Sequence, residues 1–153
     1  MKGYFAPDCS LTDGATKQQM VRGFAWACEY GRTSVVEFLL DMGVDIGASL
    51  PNSGQTGLHW AAHCANVGAA RLLLKHGAAV DSKDPSFGGT PLSWALHGWG
   101  DPPPGTPMNR YYSVVSMLVA AGAAVDPEWF EREDVKADPL MASALRTSRI
   151  SSR

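Results

Sequence analysis

Apolar positions along the chain recur in three blocks of one design. Val36, Leu39 and Leu40 are matched by Ala70, Leu73 and Leu74, and again by Val115, Leu118 and Val119, with polar Glu37, Arg71 and Ser116 between them. The i, i+3, i+4 spacing sets three apolar side chains on one face of a helix. Each block closes on a glycine, Gly43, Gly77 or Gly122. Glycine suits the left-handed position that stops a helix.

A second kind of block precedes each of these. Tryptophans stand at 26, 60 and 94, each 34 residues from the next, within Arg22-Gly-Phe-Ala-Trp-Ala-Cys28, Thr56-Gly-Leu-His-Trp-Ala-Ala62 and Thr90-Pro-Leu-Ser-Trp-Ala-Leu96. These stretches are rich in Ala, and small residues such as Ala61 and Ala62 let neighbouring helices approach closely. The closing glycines are 34 and then 45 residues apart, so the third unit carries an insertion of 11 residues. Turn formers fill the gaps between units, Pro51-Asn-Ser-Gly54 and Asp84-Pro-Ser-Phe-Gly-Gly89. Each unit therefore reads as helix, tight turn, helix and projecting loop. One helix pair cannot bury its apolar face alone, so the units must stack into an all-α solenoid.

Thr56-Gly57-Leu58-His59-Trp60-Ala61-Ala62 and Thr90-Pro91-Leu92 resemble the ankyrin T-P-L-H-x-A-A motif. Leu73-Leu74-Lys75-His76-Gly77-Ala78-Ala79-Val80-Asp81 resembles the L-L-x-x-G-A-x-V block of the same family. The likeness covers roughly residues 22 to 126 and extends more loosely to small bacterial ankyrin-repeat domain proteins. It implies three ankyrin repeats, at about 16–50, 51–84 and 85–126, with the insertion at 98–110. An N-terminal tail (1–15), a C-terminal helical cap (127–147) and a final tail (148–153) complete the expected organisation. Unit one departs from the motif with Arg22-Gly23-Phe24-Ala25, as end repeats do, though further repeats could precede it in a longer protein. Unit two has Gly57 for proline, and unit three has Ser93 for histidine.

At the end of the repeats, Asp126-Pro127-Glu128 reads as a helix start, with an N-cap acid and proline at the first position. Asp138-Pro139 offers a second start. The expected cap closes the core with Trp129, Phe130, Leu140 and Leu145.

Composition narrows the function classes. Hydrophobic residues at 45% and charged residues at 18% supply a core, which excludes a disordered chain. The net charge of −2 with scattered Lys and Arg gives no footprint of a nucleic-acid binder. No apolar run approaches a membrane span and the N-terminus has no signal-like apolar stretch. Three cysteines, Cys9, Cys28 and Cys64, make no close pair, which disfavours a disulfide framework or zinc cage and suits a reducing cytoplasm.

The family resemblance implies a groove lined by loop tips and the exposed ends of the first helices. The positions that match are Glu29 and Tyr30 in unit one, Asn52, Ser53, Gln55, His63 and Cys64 in unit two, and Ser86, Phe87 and His97 in unit three. Glu29, His63 and His97 recur at one position and should form a row, read as three solvated polar side chains with a pH-responsive strip as the alternative. His59 and His63 lie four apart on one helix, yet two imidazoles fall short of a zinc set, and Trp60 stands where a metalloprotease needs glutamate. The resemblance also assigns the His59 ring to bracing its loop by hydrogen bonds. Adjacent His63 and Cys64 point about 100° apart on a helix, which leaves His97 the more reachable base for a thiol nucleophile. Cys28 aligns with Ala62 and reads as a small buried hydrophobe. In the insertion, Gly98-Trp-Gly-Asp-Pro-Pro-Pro-Gly-Thr-Pro-Met108, the prolines enforce extended chain. Trp99 is either a partner anchor or, the preferred reading, folded back on its own loop.

These readings lead to a protein-interaction module without cofactor or metal, whose partner is another protein, with no nucleic acid and no membrane. The alternatives are a small enzyme or ligand-binding protein using His63, Cys64 and His97, and a structural spacer. No complete nucleophile–base–orienter set is visible in the sequence.

Overall fold

The three block-closing glycines take up left-handed backbone, with φ of +95° at Gly43, +85° at Gly77 and +105° at Gly122. Each donates its N–H to the carbonyl of Leu40, Leu74 or Val119, and the next residue donates to Leu39, Leu73 or Leu118. This paired closure satisfies carbonyls that a helix end would otherwise leave exposed. The computed structural model describes residues 17–50 and 54–147.

Three helix pairs follow in order: α1 (Lys17–Glu29) with α2 (Thr33–Asp41), α3 (Gly57–His63) with α4 (Val67–Lys75), and α5 (Pro91–Gly100) with α6 (Met108–Ala120). A 3-10 turn at Pro127–Glu131, α7 (Glu133–Lys136) and α8 (Pro139–Leu145) complete the described chain. The inner helix α3 lies between α1 and α5, the outer helix α4 lies between α2 and α6, and α8 packs on α6.

The core follows the 34-residue register. Phe24, Leu58 and Leu92 are buried at one position of the inner helices, and Ala27, Ala61 and Ala95 at another. The alanines let the helices approach, and the larger side chains fill what remains. Cys28 is buried among them, where burial pushes its thiol up to about 12.

Polar side chains close the seams between units. Asn66 Nδ2 donates to the carbonyls of Cys28 and Glu29 at the end of α1, both at 2.6 Å. Tyr111, at the equivalent position after the insertion, donates from its hydroxyl to the His63 carbonyl at 2.8 Å. Gly98 sits on the same carbonyl so tightly that a Cβ there would fall on the oxygen.

The eleven extra residues do not form the irregular 98–110 stretch expected. Three lengthen α5, four lengthen α6, and four widen the turn, now 101–107. Trp99 is thus helical and only 6% exposed, buried as a core residue rather than displayed as an anchor. Burying so large a ring, with Gly98 permitting close approach, outweighs the poor helix propensity of the flanking glycines.

Both expected helix starts at the C-terminus are capped. Asp126 accepts from the Glu128 N–H, and Asp138 accepts from the N–H groups of Leu140 and Met141. From that second cap α8 packs on α6, with Met141, Ala144 and Leu145 facing inward together with Val135. Leu140, expected in the core, falls on the outer face and is 63% exposed. Trp129 and Phe130 pack half-buried at the edge.

Candidate functional site

The site is built on one buried carboxylate. Asp84 Oδ1 accepts the Phe87 N–H at 2.7 Å, and Oδ2 accepts the Gly89 N–H at 3.0 Å and the Trp94 indole Nε1–H at 2.9 Å. Burial alone would favour the neutral acid. The converging donors outweigh it and hold the Asp84 carboxyl below its ordinary value, so it is ionised at neutral pH. The loop it organises is closed by Asp84 N–H to Gly89 O at 3.0 Å and Gly88 N–H to Asp84 O at 2.7 Å, with φ +67° at Gly88. One unit earlier the same closure runs from Leu50 to Gln55 and from Gly54 to Leu50. Asp84 therefore stands where the preceding loop has an apolar residue.

His59 ties the two loops together. Its Nδ1 accepts the Thr56 N–H at 3.1 Å, which places the proton on Nε2, and Nε2 donates to the Gly89 carbonyl at 2.9 Å. Burial lowers its pKa and keeps the ring neutral at pH 7. Both nitrogens are engaged within the fold, which leaves His59 no lone pair for a metal.

Around Trp94 the aromatic rings gather. Trp60 lies 5.6 Å from it at 65°, His63 5.5 Å at 76°, and Phe87 6.2 Å at 64°, measured between ring centroids and planes. His97 stacks beside His63 at 5.5 Å with a 31° tilt. With Gly89 and Ser93 these rings line a cavity of about 440 Å³. That volume is in the lower part of the range for ligand clefts, roughly 300–1,000 Å³. Phe87 is 80% exposed at the loop tip above it. Trp26 on α1 and Tyr30 just past its end pair at 5.2 Å and extend the aromatic face by one unit.

Several expected site residues converge here. His63, Phe87 and His97 line one cavity, Ser86 is exposed on the loop, and Tyr30 is exposed beside Trp26. Glu29 is half-buried and close enough to His63 and Cys64 to act on both. The row of Glu29, His63 and His97 is not the set of three solvated side chains expected. The His63 ring is packed between Trp60, Trp94 and His97, and its Nδ1 is buried with no hydrogen-bond partner among the described residues. Burial lowers the His63 pKa and the neighbouring His97 adds to the effect, while the Trp94 backbone, Glu29 and Asp101 oppose it.

Other expectations are corrected or fall elsewhere. Gln55 is buried, not displayed, because its side chain turns inward to Asp84 Oδ1 at 3.5 Å. Trp99 is withdrawn into the core. Asn52 and Ser53 lie outside the described residues. Cys64 is half-buried, and burial, reinforced by Glu29, pushes its thiol up to about 11.

Sequence reasoning missed Trp60 and Trp94 as surface residues, reading them only as markers of the repeat. The signal was present: Leu58, Ala61 and Ala62 define the buried face of α3, and position 60 shares the opposite face with His63. In the sequence Asp84 reads only as a turn former.

This register of paired helices and projecting loops, with the His59 brace between two of them, defines a helical-repeat protein. A family model described as "Ankyrin repeats (3 copies)" matches residues 24–128. The chain belongs to the ankyrin-repeat family, whose members generally serve as protein–protein interaction modules and are typically non-enzymatic. No curated protein matches it. Among the described residues, no helix is long and apolar enough to cross a membrane.

Proposed function

We propose that this chain binds a partner protein on the face formed by α1, α3, α5 and the 84–89 loop. The observation that carries the reading is Phe87, exposed above Trp60 and Trp94, with the Trp94 ring held by the buried Asp84. Rigid aromatic rings give large contact area at little ordering cost, and tryptophan and tyrosine are enriched among residues that dominate binding energy. A contiguous aromatic patch on a solvent-facing surface is the kind of feature that marks interaction sites. His63 and His97 complete the wall, while Ser86, Glu29 and Tyr30 supply its polar and aromatic rim. The family's usual role supports the same reading.

The test is affinity capture with the wild-type chain and a His63→Ala, Phe87→Ala double variant. Capture is expected to fall by about tenfold or more, since two anchors each contribute over ~1 kcal/mol, with unchanged helical circular dichroism. Full retention of capture would contradict the reading.

An enzymatic alternative built on His63, Cys64 and His97 has less support. The thiolate is the reactive form of cysteine, and at Cys64 burial and Glu29 both favour the protonated thiol.

A further inference from the structure

We infer that the pocket among Trp60, His63, Phe87, Trp94 and His97 receives the guanidinium of an arginine presented by the partner. This rests on the groove being the partner-binding face and specifies what enters it. Three features point to this occupant.

The first is the wall itself. Trp60 and Phe87 pack edge-to-face against Trp94, and all three rings line the cavity. A cation over aromatic faces within about 6 Å of the centroids is attracted by the ring quadrupole, tryptophan most strongly. The second is charge. The Trp94 indole N–H donates to ionised Asp84, which sets a negative charge at the positive edge of the ring and leaves its π face richer in electrons. Glu29 and Asp101 also act on the pocket through His63. Among the described residues, no lysine or arginine lines the cavity. The surroundings therefore favour a positive guest.

The third feature chooses between cations. No carboxylate lines the cavity itself, so a primary ammonium would lose its tight hydration there without gaining an ion pair. A guanidinium is flat, weakly hydrated and stacks on aromatic rings. An apolar side chain would fit the same walls but would gain nothing from the negative charge of Asp84 behind Trp94.

The test follows the indole N–H resonances of Trp60 and Trp94 in the full chain during titration. The probes are N-acetyl-arginine amide, its neutral isostere N-acetyl-citrulline amide, and N-acetyl-leucine amide. The arginine compound is expected to give saturable shifts at both indoles. Citrulline and leucine should bind about tenfold more weakly, the ratio that ~1.4 kcal/mol of cation–π attraction would produce. Phe87→Ala, which removes an exposed ring, and Glu29→Gln should each weaken the arginine compound several-fold while leaving the remaining spectrum unchanged.

Equal or tighter binding of citrulline or leucine would overturn the inference. So would the lack of a saturable shift with arginine up to its solubility limit. If arginine fails while partner capture still depends on His63 and Phe87, the groove reading stands and only the guanidinium is wrong. If arginine binds but capture ignores those residues, the pocket is a cation site and the partner docks elsewhere.

Discussion

At the scale of single residues, Asp84 does the most for the site. Its carboxylate gathers the Phe87 and Gly89 amides and the Trp94 indole, so one charge sets the loop and the aromatic wall together. Asp84→Asn replaces half of that acceptor with a donor facing donors. Stability should fall by about 1.5–3 kcal/mol, the range for hydrogen bonds to charged groups, as read by chemical denaturation. Asp84 also contributes to the pH dependence of stability, together with His59 and His63. His59 and His63 have folded pKa values below the ordinary 6.5, so below that pH the unfolded chain takes up more protons. Their effect is to lower stability as pH falls below about 6.5, until the folded values are also passed. Asp84, held below 3.8, contributes stability that is present above that value and lost as pH falls through its folded pKa. Thermal melts between pH 8 and 3 should therefore show two successive declines. His63→Asn should shrink the upper one, and an unchanged upper decline would remove His63 from the account.

At the scale of elements, the seam between α3 and α5 shows how sequence and packing divide the explanation. The sequence reveals eleven extra residues in unit three, and its prolines mark an irregular segment, but not how the rest divide between two helices. That division depends on what Trp99 gains by burial and on the closeness of Gly98 to the His63 carbonyl, neither of which a local pattern carries. Gly98→Ala would drive a methyl into that carbonyl and against the Tyr111 ring, although alanine is the better helix former. The overpacking should win, costing about 1–3 kcal/mol in a denaturant melt. A stabilised variant would mean the seam has slack that the geometry denies. The phase of α8 was hidden for a related reason. Asp138 marks where the helix starts, but the packing of α8 against α6 decides which residues turn inward, so Met141 is buried and the equally apolar Leu140 is not.

For the whole molecule, the 34-residue register made the fold legible, because the same small and large side chains must recur wherever identical helix pairs stack. The site was legible only in part. Loop and helix-end positions pointed to His63, Phe87 and His97, since the family resemblance places those positions along the groove. Trp60 and Trp94 were visible as landmarks but not as a surface, because large aromatics in an alanine-rich helix also suit a core. Gln55 looked like a loop tip until Asp84, 29 residues away, drew it inward. The aromatic face is the proposed seat of the partner. Hydrogen exchange of the chain alone and with its captured partner bound tests that most directly. Slowed exchange is expected in the 84–89 loop and at the exposed ends of α3 and α5, with α2 and α4 unchanged. Protection confined to the outer helices α2 and α4, with the 84–89 loop exchanging as in the free chain, would contradict it.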